Sequence, residues 1–279
     1  MKTRIIIDST TDMLPELKNR LTVVPLTVHF GNEEYIDGVT IDHQRFYEML
    51  VESDTLPTTS QATPASFDRV FRTLEEGEGA VVLTLASSLS GTCQSAMIAA
   101  ADYQNVHVVD TGTAAIGAGI LAELAMQLAK EGMSAGEIAA RLEQEKQRIR
   151  IIAMVDTLEY LQKGGRVSKA LAIAGGLLNI KPVLSVKNGE ITMLGKARGS
   201  RQGNNLLVTE IQKAGGVDFN MPVLLGYTGL SDALLQKYIR DSAALWENSR
   251  DALQIAQVGS VIGTHAGPGA IAVAFFANK

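Results

Sequence analysis

Val81-Val82-Leu83-Thr84-Leu85-Ala86-Ser87-Ser88-Leu89-Ser90-Gly91-Thr92 begins as an apolar run and breaks into small hydroxyl residues. Short uninterrupted apolar runs suit strands buried on both faces of a parallel sheet, and residues 80–85 form one. The Ala-rich residues 91–101 predict the helix that follows. A turn between them points backbone N–H groups and two or three hydroxyls at one spot beyond the strand's carboxyl end. A helix N-terminus there favours an anion such as carboxylate or phosphate. Open α/β sheets bind their ligands at those strand ends. Ser88 or Ser90 serves equally well as a helix cap, and spacing alone leaves both readings open.

Outward from this segment the alternation recurs. Residues 4–7 are a short β-branched run ending at the cap-type residues Asp8, Ser9 and Thr10. Residues 106–109 and 151–155 are further apolar runs suited to parallel strands. Helices are predicted over 64–75, 114–130 and 134–149, the last opened by Ser134 and Glu137 at capping-box spacing. Residues 23–30 alternate, with Leu26, Val28 and Phe30 on one face and Thr27 and His29 on the other. Pro25 marks the entry or edge of that strand. Repeated βα units predict a parallel sheet with helices on both faces.

The second half has a different rhythm. Residues 182–186 and 190–194 flank Asn188-Gly189, a strong hairpin signal. Helices are predicted over 201–214 and 231–246, and strands over 223–226, 254–258 and 271–276. The expected fold class is α/β in two lobes. Residues 1–165 form an N-terminal α/β/α parallel-sheet lobe, and 166–279 an α+β lobe with hairpin-connected strands, the ligand lying between them. Gly164, Gly165, Gly175 and Gly176 put the boundary region at 160–180.

Composition narrows the function. The 279 residues are 46% hydrophobic and 20% charged, which suits a packed core and not wholesale disorder. A net charge of −5 argues against a nucleic-acid partner bound through bulk charge. The one cysteine, Cys93, excludes an internal disulfide and fits a reducing, cytoplasmic setting. Residues 114–122 are the most apolar stretch, and Glu123 stops them too soon to span a bilayer. The opening run Ile5-Ile6-Ile7 ends at Asp8, so no signal peptide is expected.

Further candidates are weaker singly. Thr58-Thr59-Ser60-Gln61-Ala62-Thr63-Pro64 is a second hydroxyl-rich turn before a helix, equally readable as a cap with Pro64 in the first turn. His265 sits among small residues in Gly263-Thr264-His265-Ala266-Gly267-Pro268-Gly269, where it suits an anion contact, a proton shuttle or a structural turn. His29, His43 and His107 lack ligand spacing, so no metal is expected. Arg166 follows Gly164-Gly165, and Lys196, Arg198 and Arg201 form a second basic group; solvated surface and an acidic or phosphate-bearing partner both account for them. The one Gly-x-Ser-x-Gly match, Gly132 to Gly136, falls between two predicted helices and not at a strand-to-helix elbow, and no phosphate loop ending in Gly-Lys-Ser/Thr is present. Cys93, inside a predicted helix, reads as a small core residue.

Taken in order, these pieces resemble the DegV family, the lipid-binding subunits of bacterial fatty-acid kinase. The resemblance rests on Ile7-Asp8-Ser9-Thr10-Thr11-Asp12, Tyr35-Ile36-Asp37-Gly38, Thr59-Ser60-Gln61 and Leu89-Ser90-Gly91-Thr92. It continues through Asp156-Thr157-Leu158-Glu159-Tyr160-Leu161, Gly164-Gly165-Arg166-Val167-Ser168 and His265-Ala266-Gly267-Pro268-Gly269, so it runs along nearly the whole chain. Ala62, Cys93 and Ala266 stand where the family more often has proline, an aromatic residue and threonine.

The resemblance implies a protein with no catalysis of its own and no cofactor. It would hold one long-chain fatty acid between its lobes, the carboxylate among Thr59, Ser60, Ser90, Gly91, Thr92 and His265. A separate ATP-dependent kinase subunit would phosphorylate that carboxylate, and the acyl-phosphate would pass to phospholipid synthesis, with at most transient membrane contact. Neutral hydroxyls suit a site that must accept both carboxylate and acyl-phosphate, which leaves Arg166, Arg198 and Arg201 to dock the kinase. A reading from a different class is a stand-alone enzyme on a small phosphorylated or carboxylated metabolite. There His265 would act as acid/base and Ser90 as nucleophile or anion clamp.

Overall fold

The structure, a computed structural model, describes residues 2–166, 180–247, 249 and 253–279. The expected Gly175-Gly176 boundary glycines and the Val167-Ser168 motif lie outside those residues. The first sheet has the order β2-β1-β6-β7, from Thr22–Val24, Thr3–Asp8, Gly79–Thr84 and Val106–Asp110, and all its pairings are parallel. Its strands are apolar on both faces because both are covered. Ile5, Ile7, Val81 and Leu83 face helices 115–130 and 135–145, while Ile6, Ala80 and Val82 face Phe46, Phe67, Phe71 and Ala96. Cys93 is buried on helix Thr92–Ala100, as a small core residue.

The second sheet is mixed, with order β10-β9-β8-β13-β11-β12. These strands are β8 Ile149–Met154, β9 Ile180–Lys187, β10 Glu190–Arg198, β11 Leu224–Tyr227, β12 Gln254–Gln257 and β13 Ile271–Phe276. Only β11 and β12 pair in parallel. The expected hairpin is present: β9 and β10 are antiparallel around Asn188 (φ 52°) and Gly189 (φ 72°), the backbone that a two-residue turn of this hand requires. The tip docks on the first lobe. Ser88 Oγ donates to the Gly189 carbonyl at 2.8 Å, and Gly189 N donates to the Gly112 carbonyl at 2.5 Å.

Three expectations need correction. The run 151–155 is not a parallel strand of the first sheet. β8 lies in the second sheet, antiparallel to β9 and β13, so that sheet takes a strand from within residues 1–165. An apolar run reports burial on both faces and not the direction of its neighbours. Residues 23–30 are two strands. Pro25 has no N–H to offer a ladder, and the chain leaves the first sheet there. β3 (Thr27–Phe30) then pairs with β4 (Glu33–Ile36) and β5 (Thr58–Ser60) in a small antiparallel sheet. The helix expected over 231–246 is broken at Ser242, whose hydroxyl donates to the Tyr238 carbonyl at 2.6 Å.

Helix Ala115–Lys130 joins the lobes. It is apolar nearly all round because it packs between both sheets. Its residues Ile116, Ile120 and Leu124 share one cluster with Ile5 and Leu83 of the first sheet and Ile151, Leu224 and Phe276 of the second. Gly117 and Gly119 allow the closest approaches. A Cβ at Gly119 would collide with the Asp12 carbonyl oxygen. Among the described residues no helix is long and apolar enough to cross a membrane.

Candidate functional site

A cavity of about 420 Å³ lies where the first sheet's strand ends meet the second sheet. That volume is within the usual range for a small-molecule site, roughly 300–1,000 Å³. Its walls are mostly apolar: Leu85 and Leu89 from the hydroxyl-rich turn, Ile116 from the joining helix, and Ile151, Leu184 and Val186 from the second sheet. Ala115, also in the wall, has φ 51°, a left-handed conformation that L-residues rarely adopt and that tends to collect at binding sites.

The polar groups gather together. Thr59 is set on β5 opposite Val28, and its Oγ1 lies 3.0 Å from His265 Nε2. Burial first, and the charge of Arg166 second, push His265 down to about 4. The imidazole is therefore neutral at neutral pH, and its buried Nδ1 has no partner among the described residues. Gly164 packs directly on that nitrogen, where a Cβ would collide with it. Ser90 Oγ accepts from Thr92 N at 3.3 Å and lies 3.0 Å from Thr92 Oγ1, while Ser90 also lines the cavity. Gly91 is the N-cap position and no side chain caps this helix, so the Ser90 hydroxyl makes a local turn bond and faces the cavity. Gly91 lines the cavity and packs against the Gln61 side chain, which would have to move to admit a Cβ there.

The sequence-predicted residues do not all converge. Thr59, Ser60, Ser90, Gly91 and His265 line the cavity. Ser60 Oγ is engaged at 2.8 Å with His29 Nε2. Thr92 does not line it. The side chain is fully buried, and its Oγ1 accepts from Ala62 N at 3.3 Å, a bond that a proline at position 62 could not donate. Thr92 braces the two hydroxyl-bearing turns against each other.

Arg166, expected on a docking surface, is in the cavity wall. Gly165, at φ 67°, reverses the chain after helix Glu159–Lys163, and Arg166 N returns to the Leu161 carbonyl. The guanidinium then donates from Nη1 to Gly164 O at 2.8 Å and from Nε to Leu89 O at 3.3 Å. A turn of two glycines gives no direction in sequence, so this placement was not legible there. Arg198 and Arg201 are exposed and outside the cavity, Arg198 opposite Ile180 at the end of β10. Gln61, missed in sequence, lines the cavity and donates to Ser95 Oγ at 3.0 Å. Among the described residues no group of three or more His, Cys, Asp or Glu is placed to hold a metal ion.

Comparison with known proteins bears on what such a cavity holds. The family model described as "Uncharacterised protein, DegV family" matches residues 2–278. A DegV domain-containing protein of Caldanaerobacter subterraneus is 35% identical, over 100% of this chain and 99% of its own. The structure of a DegV family protein of Thermus thermophilus, described for its fatty-acid binding, is 32% identical with a TM-score of 0.88, covering 99% of this chain and 100% of that one. A stearic-acid-binding protein of Eubacterium ventriosum is 27% identical with a TM-score of 0.86, covering 98% of this chain and 97% of that one.

Proposed function

The chain belongs to the DegV family, and from that premise we propose that it binds a long-chain fatty acid and presents the carboxylate to a separate ATP-dependent kinase subunit. One observation carries the reading: a mostly apolar cavity with its hydroxyls, a neutral imidazole and a guanidinium gathered together. A fatty acid has that same division, an apolar chain with one anionic end. Burying about fifteen methylenes at ~0.8 kcal/mol each gives roughly 12 kcal/mol before ordering and association costs offset much of it. The head group then fixes orientation. Thr59, Ser90 and Arg166 donate to the carboxylate, Ser60 and Gly91 shape its approach, and neutral His265 donates from Nε2 to the Thr59 hydroxyl and so orients that donor.

Native mass spectrometry of the purified protein tests this directly. The expected result is a retained ligand of fatty-acid mass. Recovery empty, or with a small polar metabolite, would favour the stand-alone enzyme using His265 as acid/base.

Kinase docking falls to Arg198 and Arg201, exposed at one strand end of the second sheet. Rim charges mainly set association rate and salt dependence. The double reversal Arg198→Glu/Arg201→Glu is expected to lower acyl-phosphate formation with the kinase while leaving lipid content unchanged. Full turnover by this variant at moderate salt would remove the docking role.

A further inference from the structure

The two acidic motifs at the head of the chain, Asp8 to Asp12 and Tyr35 to Gly38, line no part of the cavity. They nevertheless place carboxylates in the interior, with Asp12 1% exposed and Asp37 4% exposed. No cation within ion-pair distance of either is found among the described residues. Burying an unpaired carboxylate is unfavourable, and an apolar residue would pack there at less cost. What the carboxylates do instead is hold one short element. Asp12 Oδ1 accepts from Gly259 N at 2.9 Å, and Asp37 Oδ1 accepts from Ser260 Oγ at 2.7 Å. Tyr47 Oη donates to the Val258 carbonyl at 2.8 Å.

All three bonds cross from the first lobe to the entry of helix Ser260–Ala266, which the second lobe supplies. Both carboxyl groups sit at its N-terminal end. Gly263, one turn on, lies flush against Phe46 and Tyr47, with no room for a Cβ. His265 follows at the far end, about 7–8 Å along the axis at 1.5 Å per residue, on Thr59.

We propose that Asp12, Asp37 and Tyr47 are positioning residues for the carboxylate site: they clamp the entry of helix 260–266 and thereby set where His265 holds the Thr59 hydroxyl. They touch no ligand themselves. The inference rests on the fatty-acid reading above, and its test separates the two.

The test compares affinities for hexadecanoic acid and hexadecan-1-ol, which share a chain and differ in the head group. The parent is expected to prefer the acid. Ser260→Ala and Asp37→Ala each remove the 2.7 Å bond, and each is expected to lower the acid-to-alcohol affinity ratio by about tenfold. Asp37→Asn still offers an oxygen to Ser260 and is expected to keep most of the ratio. If Asp37→Ala does not fold, Ser260→Ala reads the same bond from its other side. The imidazole nitrogen shifts of His265 should move in the alanine variants and not in Asp37→Asn. An unchanged ratio in Ser260→Ala, whatever its melting temperature, overturns the clamp. A parent that binds neither ligand overturns the fatty-acid reading, and the clamp with it.

Discussion

Arg166→Met is expected to weaken fatty-acid binding by about tenfold to 150-fold, the range for losing a hydrogen bond to a charged group. Methionine keeps much of the apolar stem and removes the guanidinium. Two of its donors are engaged by the Gly164 and Leu89 carbonyls, so the group is fixed in place before any ligand arrives. Pre-fixed donors lose little freedom on binding. The variant should also raise the His265 pKa, because the charge of Arg166 is one of the causes that depress it. Dissociation constants for a labelled fatty acid check the first effect, and histidine titration by NMR checks the second. Unchanged affinity would return Arg166 to a surface role.

Gly119→Ala is expected to be the most destabilising small substitution in the joining helix. The added methyl would meet the Asp12 carbonyl oxygen, which is backbone and cannot swing aside, with Leu224 Cδ2 3.2 Å away on another side. Overpacking of this kind costs typically 1–3 kcal/mol and occasionally more. Gly136→Ala is the control. That glycine lies on helix Ala135–Glu145, and its added Cβ meets His107 Nε2 at an ordinary 3.5 Å. There the better helix propensity of alanine should stabilise by about 0.5–1 kcal/mol. Chemical denaturation of both variants reads the contrast; equal effects would mean the helix has room to shift.

Much of the fold was legible because local signals agreed with their surroundings. Ser134 and Glu137 form the capping box that their spacing predicts, and Asn188-Gly189 turns the hairpin. The errors came where a local pattern has two tertiary solutions. An apolar strand such as β8 reads alike in a parallel and an antiparallel setting, and only its partners, far away in sequence, decide. At the candidate site, Thr59, Ser90 and His265 line the cavity, but hydroxyls before helices are also ordinary cap residues, so residue type and spacing left their role open. Thr92 was misplaced by two residues' worth of turn geometry: its neighbour Ser90 faces the cavity while Thr92 faces inward. Arg166 was misplaced because a side chain's destination after a glycine pair depends on the backbone, which the residue types do not encode. Asp12 and Asp37 were visible as motifs, but their partners at 259 and 260 are more than two hundred residues away.

The helix that both sheets share has a consequence for how the molecule can be divided. A lobe with a private core can be expressed alone, exchanged between relatives or unfolded independently of its neighbour. Here residues 115–130 complete the first sheet's core and the second's with the same side chains. Cutting the chain on either side of them would leave one sheet with an apolar face bare. Each lobe has a further cluster of its own, so it is the shared helix that ties them together, and the two lobes are expected to melt in one transition.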